Sequence, residues 1–166
     1  MLLAVLTPLE GLVAPPVRVG ERRPILAIMI PSSDPHYTSE AFFRKYKAIG
    51  ITHVHLAPPG GWAGVEREPG RFDFSKLDAV LERLRKVGLK AIVKPGTNTT
   101  PDWIWRDKRP HWKLKRADGK TVSQVLKGYR DLICIFDGWG QALKLRYIGA
   151  LASHLRRKFP DVVEFV

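Results

Sequence analysis

From Ile25 onward, short apolar runs alternate with stretches in which apolar residues return every three or four positions. Ile25–Ile30 (ILAIMI) is continuous and ends at Pro31-Ser32, which predicts a strand buried on both faces. Thr38–Gly50 carries Phe42, Phe43, Tyr46 and Ile49 at helical spacing, with Thr38 and Ser39 to start the helix and Gly50 to stop it. Ile51–Ala57 (ITHVHLA) predicts a second strand, closed by Pro58-Pro59-Gly60-Gly61. After a loop, Ser75 is placed to cap a helix running to about Gly88, with Leu77, Leu81 and Leu84 along one stripe and Val80 and Val87 beside it. Asp78 stands where a capping box would have its second member. Lys90–Lys94 (KAIVK) is a third strand, stopped by Pro95-Gly96. A long excursion to about Asp137 precedes a helix from Gly140 to Lys158, with Leu145, Ile148, Ala152 and Leu155 on the expected buried side. Val162–Val166 begins a fourth strand.

The resulting order, β-α-β-α-β-long loop-α-β, predicts a mostly parallel sheet with right-handed crossovers. An open doubly wound sheet and a barrel both fit that spacing. No G-x-G-x-x-G or G-x-x-x-x-G-K-[ST] follows any strand, which takes away the main support for a nucleotide-binding sheet. The long loops after strands two and three favour a barrel, whose site is assembled from βα loops. The fold class is therefore α/β, a partial (β/α)₈ barrel of about four parallel strands with helices. Residues 1–24 read as a lead-in and 25–166 as the half-barrel. Four strands do not close a barrel, so an open edge and an apolar interior are expected, to be covered by further sequence or by a homo-oligomer, or relieved by flattening of the sheet.

Composition narrows the function classes. The 166 residues are 45% hydrophobic and 27% charged, and their 13 prolines and 14 glycines form no low-complexity tract. Cys134, the only cysteine, excludes an intrachain disulfide and sits among apolar neighbours that suit a buried thiol. The five histidines have no ligand spacing, and His53 and His55 alone make no closed site, so neither metal nor cofactor is expected. No apolar run is long enough to cross a bilayer. Met1–Pro16 is mildly apolar but has no basic start and contains Glu10, which favours a cytoplasmic chain over a secreted one. The net charge of +12, with basic residues gathered at Arg106–Arg116 and Arg156–Lys158, admits a polyanionic partner, although a solvated basic surface is the simpler account.

The two long loops carry a family pattern. Gly61-Trp62 followed by Val65-Glu66-Arg67-Glu68-Pro69-Gly70-Arg71-Phe72-Asp73-Phe74-Ser75-Lys76-Leu77-Asp78 resembles a signature of glycoside hydrolase family 42 and related barrel enzymes. Lys94–Ile104, with Thr97, Thr99, Pro101 and Trp103, resembles the family's next loop, and Arg109-Pro110 with Asp118-Gly119 resembles a third stretch. The resemblance spans Ile25 to Val166 and implies a β-galactosidase-like protein acting on β-glycosides, with a carbohydrate partner and no nucleic acid.

That family hydrolyses with retention, using one glutamate after strand four and another after strand seven, about 5 Å apart. The first would be expected roughly four residues beyond Val166, by strand-end logic for barrels. The chain is accordingly expected to hold no catalytic residue and to be inactive alone. Glu164 is a tempting substitute, but it lies within the strand and lacks the preceding Asn, while Glu66 and Glu68 are better suited to holding their loop. Where the family has an arginine near the end of strand two, this chain has His55, and His111 replaces a glutamate.

The expected substrate-binding residues are His55, Trp62, Asn98, Trp103 and Trp105, with Trp112 more doubtful. Indole faces stack on the C–H faces of sugars, and an amide bonds their hydroxyls. The competing reading packs the tryptophans beneath the loops and places Asn98 in an Asx-turn. A non-catalytic carbohydrate-binding protein and a basic nucleic-acid-binding domain are the alternative functions.

Overall fold

Four parallel strands lie in the order β1-β2-β3-β4, each beside its predecessor in the chain. The computed structural model describes residues 24–106, 113–126 and 130–165. The strands are β1 (Ala27–Met29), β2 (His53–Leu56), β3 (Lys90–Val93) and β4 (Val163–Phe165). The long helices are α1 (Glu40–Ala48), α3 (Ser75–Val87) and α6 (Gly138–Lys158). Three short ones, α2 (Gly61–Val65), α4 (Asp102–Arg106) and α5 (Val122–Val125), lie in the loops after β2 and β3. A doubly wound sheet reverses its strand order to cover both faces. Here the order never reverses, and the long helices α1, α3 and α6 share one core with a single face of the sheet, as right-handed crossovers require. This is a partial α/β barrel.

The alternation of side chains across each strand divides the sheet cleanly. Ile30, Val54, Leu56, Ala91 and Val93 are buried against the helices, with Val163 partly buried beside them, and they join Phe43 and Tyr46 of α1, Leu77, Leu81 and Leu84 of α3, and Leu151 and Leu155 of α6. The other face carries Met29, His53, His55, Lys90, Ile92, Lys94 and Glu164. The expected apolar interior is therefore largely polar. Glu164 Oε2 accepts from His53 Nε2 at 2.9 Å, and Lys90 Nζ stands 3.7 Å from Glu164 Oε1. These contacts join β2, β3 and β4 across the open face.

Several local expectations are corrected. The first strand is not buried on both sides, because β1 is an edge: Ile25, Leu26 and Met29 are half or more exposed. Ile49 projects into solvent beyond α1, whose N-cap is Ser39, accepting from the Phe42 amide. Ser75 is the first residue of α3 and not its cap; Asp73 Oδ1 accepts the Ser75 amide at 2.9 Å. Asp78 forms no capping box and instead binds His154 Nε2 at 2.6 Å and Lys158 Nζ at 2.7 Å, tying α3 to α6. At the other end of α3, Gly88 takes the left-handed conformation (φ 74°) that ends a helix. On α6 the buried stripe is Gly140, Leu143, Tyr147, Leu151 and Leu155, while Leu145 is 68% exposed. Cys134 is only partly buried.

Candidate functional site

In a barrel the βα loops gather at the carboxyl ends of the strands. In this chain those loops are residues 57–74 and 94–137, and two glycines let their backbones meet. Gly61 (φ 59°) has no room for a side chain: a Cβ there would stand 2.2 Å from Thr99 Oγ1 and 2.6 Å from Gly96 O. A Cβ on Gly96 (φ 68°) would stand 3.0 Å from Gly61 Cα. The Trp62 amide donates to Gly96 O and the Ala63 amide to Thr99 O, so α2 is fixed to the loop that follows β3.

Beneath this junction lies a buried carboxylate. Glu66 is fully buried; its Oε2 accepts the Trp62 indole N–H at 2.6 Å and its Oε1 accepts the Gly70 amide at 2.7 Å. Arg146 of α6 completes an ion pair with the same Oε1. The Glu66 backbone carbonyl accepts the Trp103 indole N–H at 3.0 Å. Tyr147, the next residue on α6, stacks on Trp62 (centroids 5.7 Å apart) and donates its hydroxyl to Pro95 O at 2.6 Å. Burial, with the Glu66 charge adding to it, pushes the Tyr147 phenol well above its ordinary range, which keeps it a neutral donor. Glu66 thus holds the loop together, with every oxygen committed.

The five expected contact residues fall into three places. Trp62 has no exposed surface, so its ring offers no face to a sugar; it belongs to the core. Trp103 and Trp105 are two apart on α4, a spacing that sends side chains in different directions. Trp103 is half-buried with its N–H committed to Glu66, and the Arg146 guanidinium is 6.0 Å from its ring centroid. Trp105 is half-buried elsewhere, with Lys113 Nζ 5.2 Å from its centroid. His55 lies on the open face of β2, opposite Met29 of β1 and Ile92 of β3. Asn98 is exposed in the loop just after β3. Trp112, His111 and Arg109-Pro110 lie outside the described residues.

Lys94 is the residue the sequence reading passed over. It follows β3 on the side of Ile92, and its Nζ reaches Met29 Sδ of β1 at 3.8 Å, across the open face. Period two from Ile92 was the signal. The open face at the carboxyl ends therefore presents an imidazole and an ammonium, with the Asn98 amide in the loop above. Such groups donate to and accept from hydroxyls. Among the described residues, no group of three or more His, Cys, Asp or Glu side chains could hold a metal ion.

A family model described as beta-galactosidase, that of glycoside hydrolase family 42, matches residues 29–160. The chain belongs to glycoside hydrolase family 42. Among curated family relatives, beta-galactosidase BgaH of Haloferax lucentense is 36% identical over 70 residues, which are 42% of this chain and 10% of that protein. Beta-galactosidase Bga of Halorubrum lacusprofundi is 34% identical over 92 residues, 54% of this chain and 13% of its own length. The chain therefore matches only a small part of the relatives it resembles. Of solved structures, the beta-galactosidase from the psychrophilic Marinomonas ef1 superposes with a TM-score of 0.64 at 23% identity, covering 84% of this chain and 20% of that one. At that identity the likeness establishes the fold alone, that of a partial α/β barrel. No described helix is long and apolar enough to cross a membrane.

Proposed function

We propose that this chain forms the first half of a barrel for the retaining hydrolysis of β-galactosides, supplying sugar contacts and no catalytic carboxylate. The family match over residues 29–160 carries the proposal. His55, Lys94 and Asn98 would hydrogen-bond sugar hydroxyls at the carboxyl ends of β2 and β3, and Trp103 and Trp105 would flank that surface.

The state of the carboxylates supports the division of labour. A retaining glycosidase needs one carboxyl free to protonate the leaving oxygen and another free to attack. Glu66 is buried and fully bonded to Trp62, Gly70 and Arg146. Glu164 is bound to His53, whose register puts it at the amino-terminal end of β2, away from the loops.

Two measurements on the 166-residue chain test the reading. With 4-nitrophenyl β-D-galactoside, release of nitrophenol should not exceed the buffer rate, and ordinary enzymic turnover would refute the inactive half-barrel. In an NMR titration with methyl β-D-galactoside, resonances of His55, Lys94 and Asn98 should move together with saturation. An unchanged spectrum would remove the sugar surface.

A further inference from the structure

A groove away from the open sheet face lies between α1 and α3. It has a volume of about 770 Å³ and is lined by Arg67, Lys76, Arg83 and Lys86, with Glu40 as the one carboxylate. Three of the cations come from a single stripe of α3, at intervals of seven and three residues, with small Ala79 between the first two. At 1.5 Å per residue that stripe runs about 15 Å along the groove. Ser32 and Ser33 close one end, and Ser33 Oγ already accepts the Gly60 amide, which leaves its O–H pointing elsewhere.

Much of the neighbouring basic surface is paired. Arg44, Arg71, Arg85, Arg130, Arg146 and Lys158 each hold a carboxylate within ion-pair distance. Among the described residues Arg67, Lys76 and Lys86 hold none. Arg83 donates to Thr38 O at 3.2 Å, a contact that fixes its guanidinium against the α1 side without neutralising it. Glu40 is turned to Arg44, whose hydrogen bond keeps its carboxyl below the usual range. The groove therefore carries a local excess of positive charge, only partly offset by Asp73 near Arg67 and Lys76 and by Glu40 near Lys86.

We infer that the α1–α3 groove is a binding site for a small ligand carrying several phosphate groups in a row. A row of cations about 15 Å long matches successive phosphoryl groups better than one compact anion. No aromatic residue lines the groove, so it offers nothing on which the bases of a nucleic-acid strand could stack. Four cations are also fewer than the phosphate contacts typical of a nucleic-acid site.

Sodium tripolyphosphate, titrated calorimetrically into the 166-residue chain at low salt, is the test. Saturable one-to-one binding is expected, weakened at least tenfold in the double variant Lys76→Gln/Lys86→Gln. Both lysines are exposed, and a far-ultraviolet spectrum checks that the fold is kept. The control Lys120→Gln/Arg156→Gln removes the same charge outside the groove and should bind within twofold of the parent. Absence of saturation, or equal weakening in both double variants, would show diffuse surface charge and overturn the site. An oligothymidylate bound as tightly, and lost in the same groove variant, would overturn it in favour of a nucleic-acid strand.

Discussion

Arg146, on the exposed side of α6, reaches down to the fully buried carboxylate of Glu66 and neutralises it. The two residues are 80 positions apart, and their pairing fixes the loop after β2 to the last helix. Removing Glu66 orphans an indole N–H and a backbone amide and leaves a hole, so Glu66→Ala should cost about 3–5 kcal/mol. Arg146→Ala leaves a buried charge but opens a path for water, because the guanidinium side is 42% exposed; about 2–3 kcal/mol is expected. Urea unfolding followed by circular dichroism measures both. A larger loss for Arg146→Ala than for Glu66→Ala would contradict this account.

Trp62 supplies structure where a ligand contact was expected. Trp62→Phe keeps most of the stack on Tyr147 but deletes the hydrogen bond to Glu66, and should lower stability by about 1–3 kcal/mol. Trp62→Ala should lose about 3–5 kcal/mol through the cavity it leaves. In neither variant should the affinity for methyl β-D-galactoside change, provided the chain stays folded. A selective loss of sugar affinity in Trp62→Phe would return the ring to the binding surface.

The meeting of the two loops rests on Gly61. Gly61→Ala places a methyl group into Thr99 Oγ1 and Gly96 O at a backbone angle that side chains avoid. A destabilisation of about 2–4 kcal/mol is expected from strain and overpacking together. Gly70, also at positive φ but with open space around it, provides the comparison: Gly70→Ala should cost only about 1 kcal/mol. Thermal melts of the two variants should be clearly separated, and coincident melting temperatures would show that the close approach is unimportant.

The open face has its own pH dependence. The hydrogen bond from His53 holds the Glu164 carboxyl below its ordinary value of 4.5; partial burial opposes this and Lys90 reinforces it. A carboxyl lowered in the folded state contributes stability above the unfolded value, and loses it as pH falls through the folded value. The gap in melting temperature between the parent and Glu164→Gln should therefore be steady above about pH 5 and narrow below about pH 4. A gap that persists undiminished at about pH 3 would rule out an ionic role for Glu164.

Much of the architecture could be read from periodicity. The four strands and three long helices stand near their expected bounds because Pro and Gly punctuate each apolar segment. Helix α6 shows why orientation was harder: Leu143, Leu145, Tyr147, Ile148, Leu151 and Leu155 spread apolar residues over more than half of its circumference. Tertiary demands selected the stripe, since Tyr147 alone could meet both Trp62 and Pro95. The site was less legible for the same reason. Trp62 resembles a ligand platform until Glu66, four residues on, is seen to take its N–H within the fold. Lys94 gained meaning only when β1 brought Met29 across from it. The loop motifs fixed the family, whereas the burial of each indole was decided by partners distant in sequence.

The bonds that hold the end of the chain share one property. Arg85–Asp161, Asp78–His154 and Asp78–Lys158 join residues 76 to 80 apart, and His53–Glu164 joins residues 111 apart. Each closes a long loop before it gains anything, so α6 and β4 should dock late, after the local units formed by α1, α3 and the first three strands. The same contacts would then be the last to be made during synthesis and the first through which the sheet opens. Amide hydrogen exchange should reveal β4 and the loop around Glu66 opening as one unit, at a lower free energy than β2 and β3.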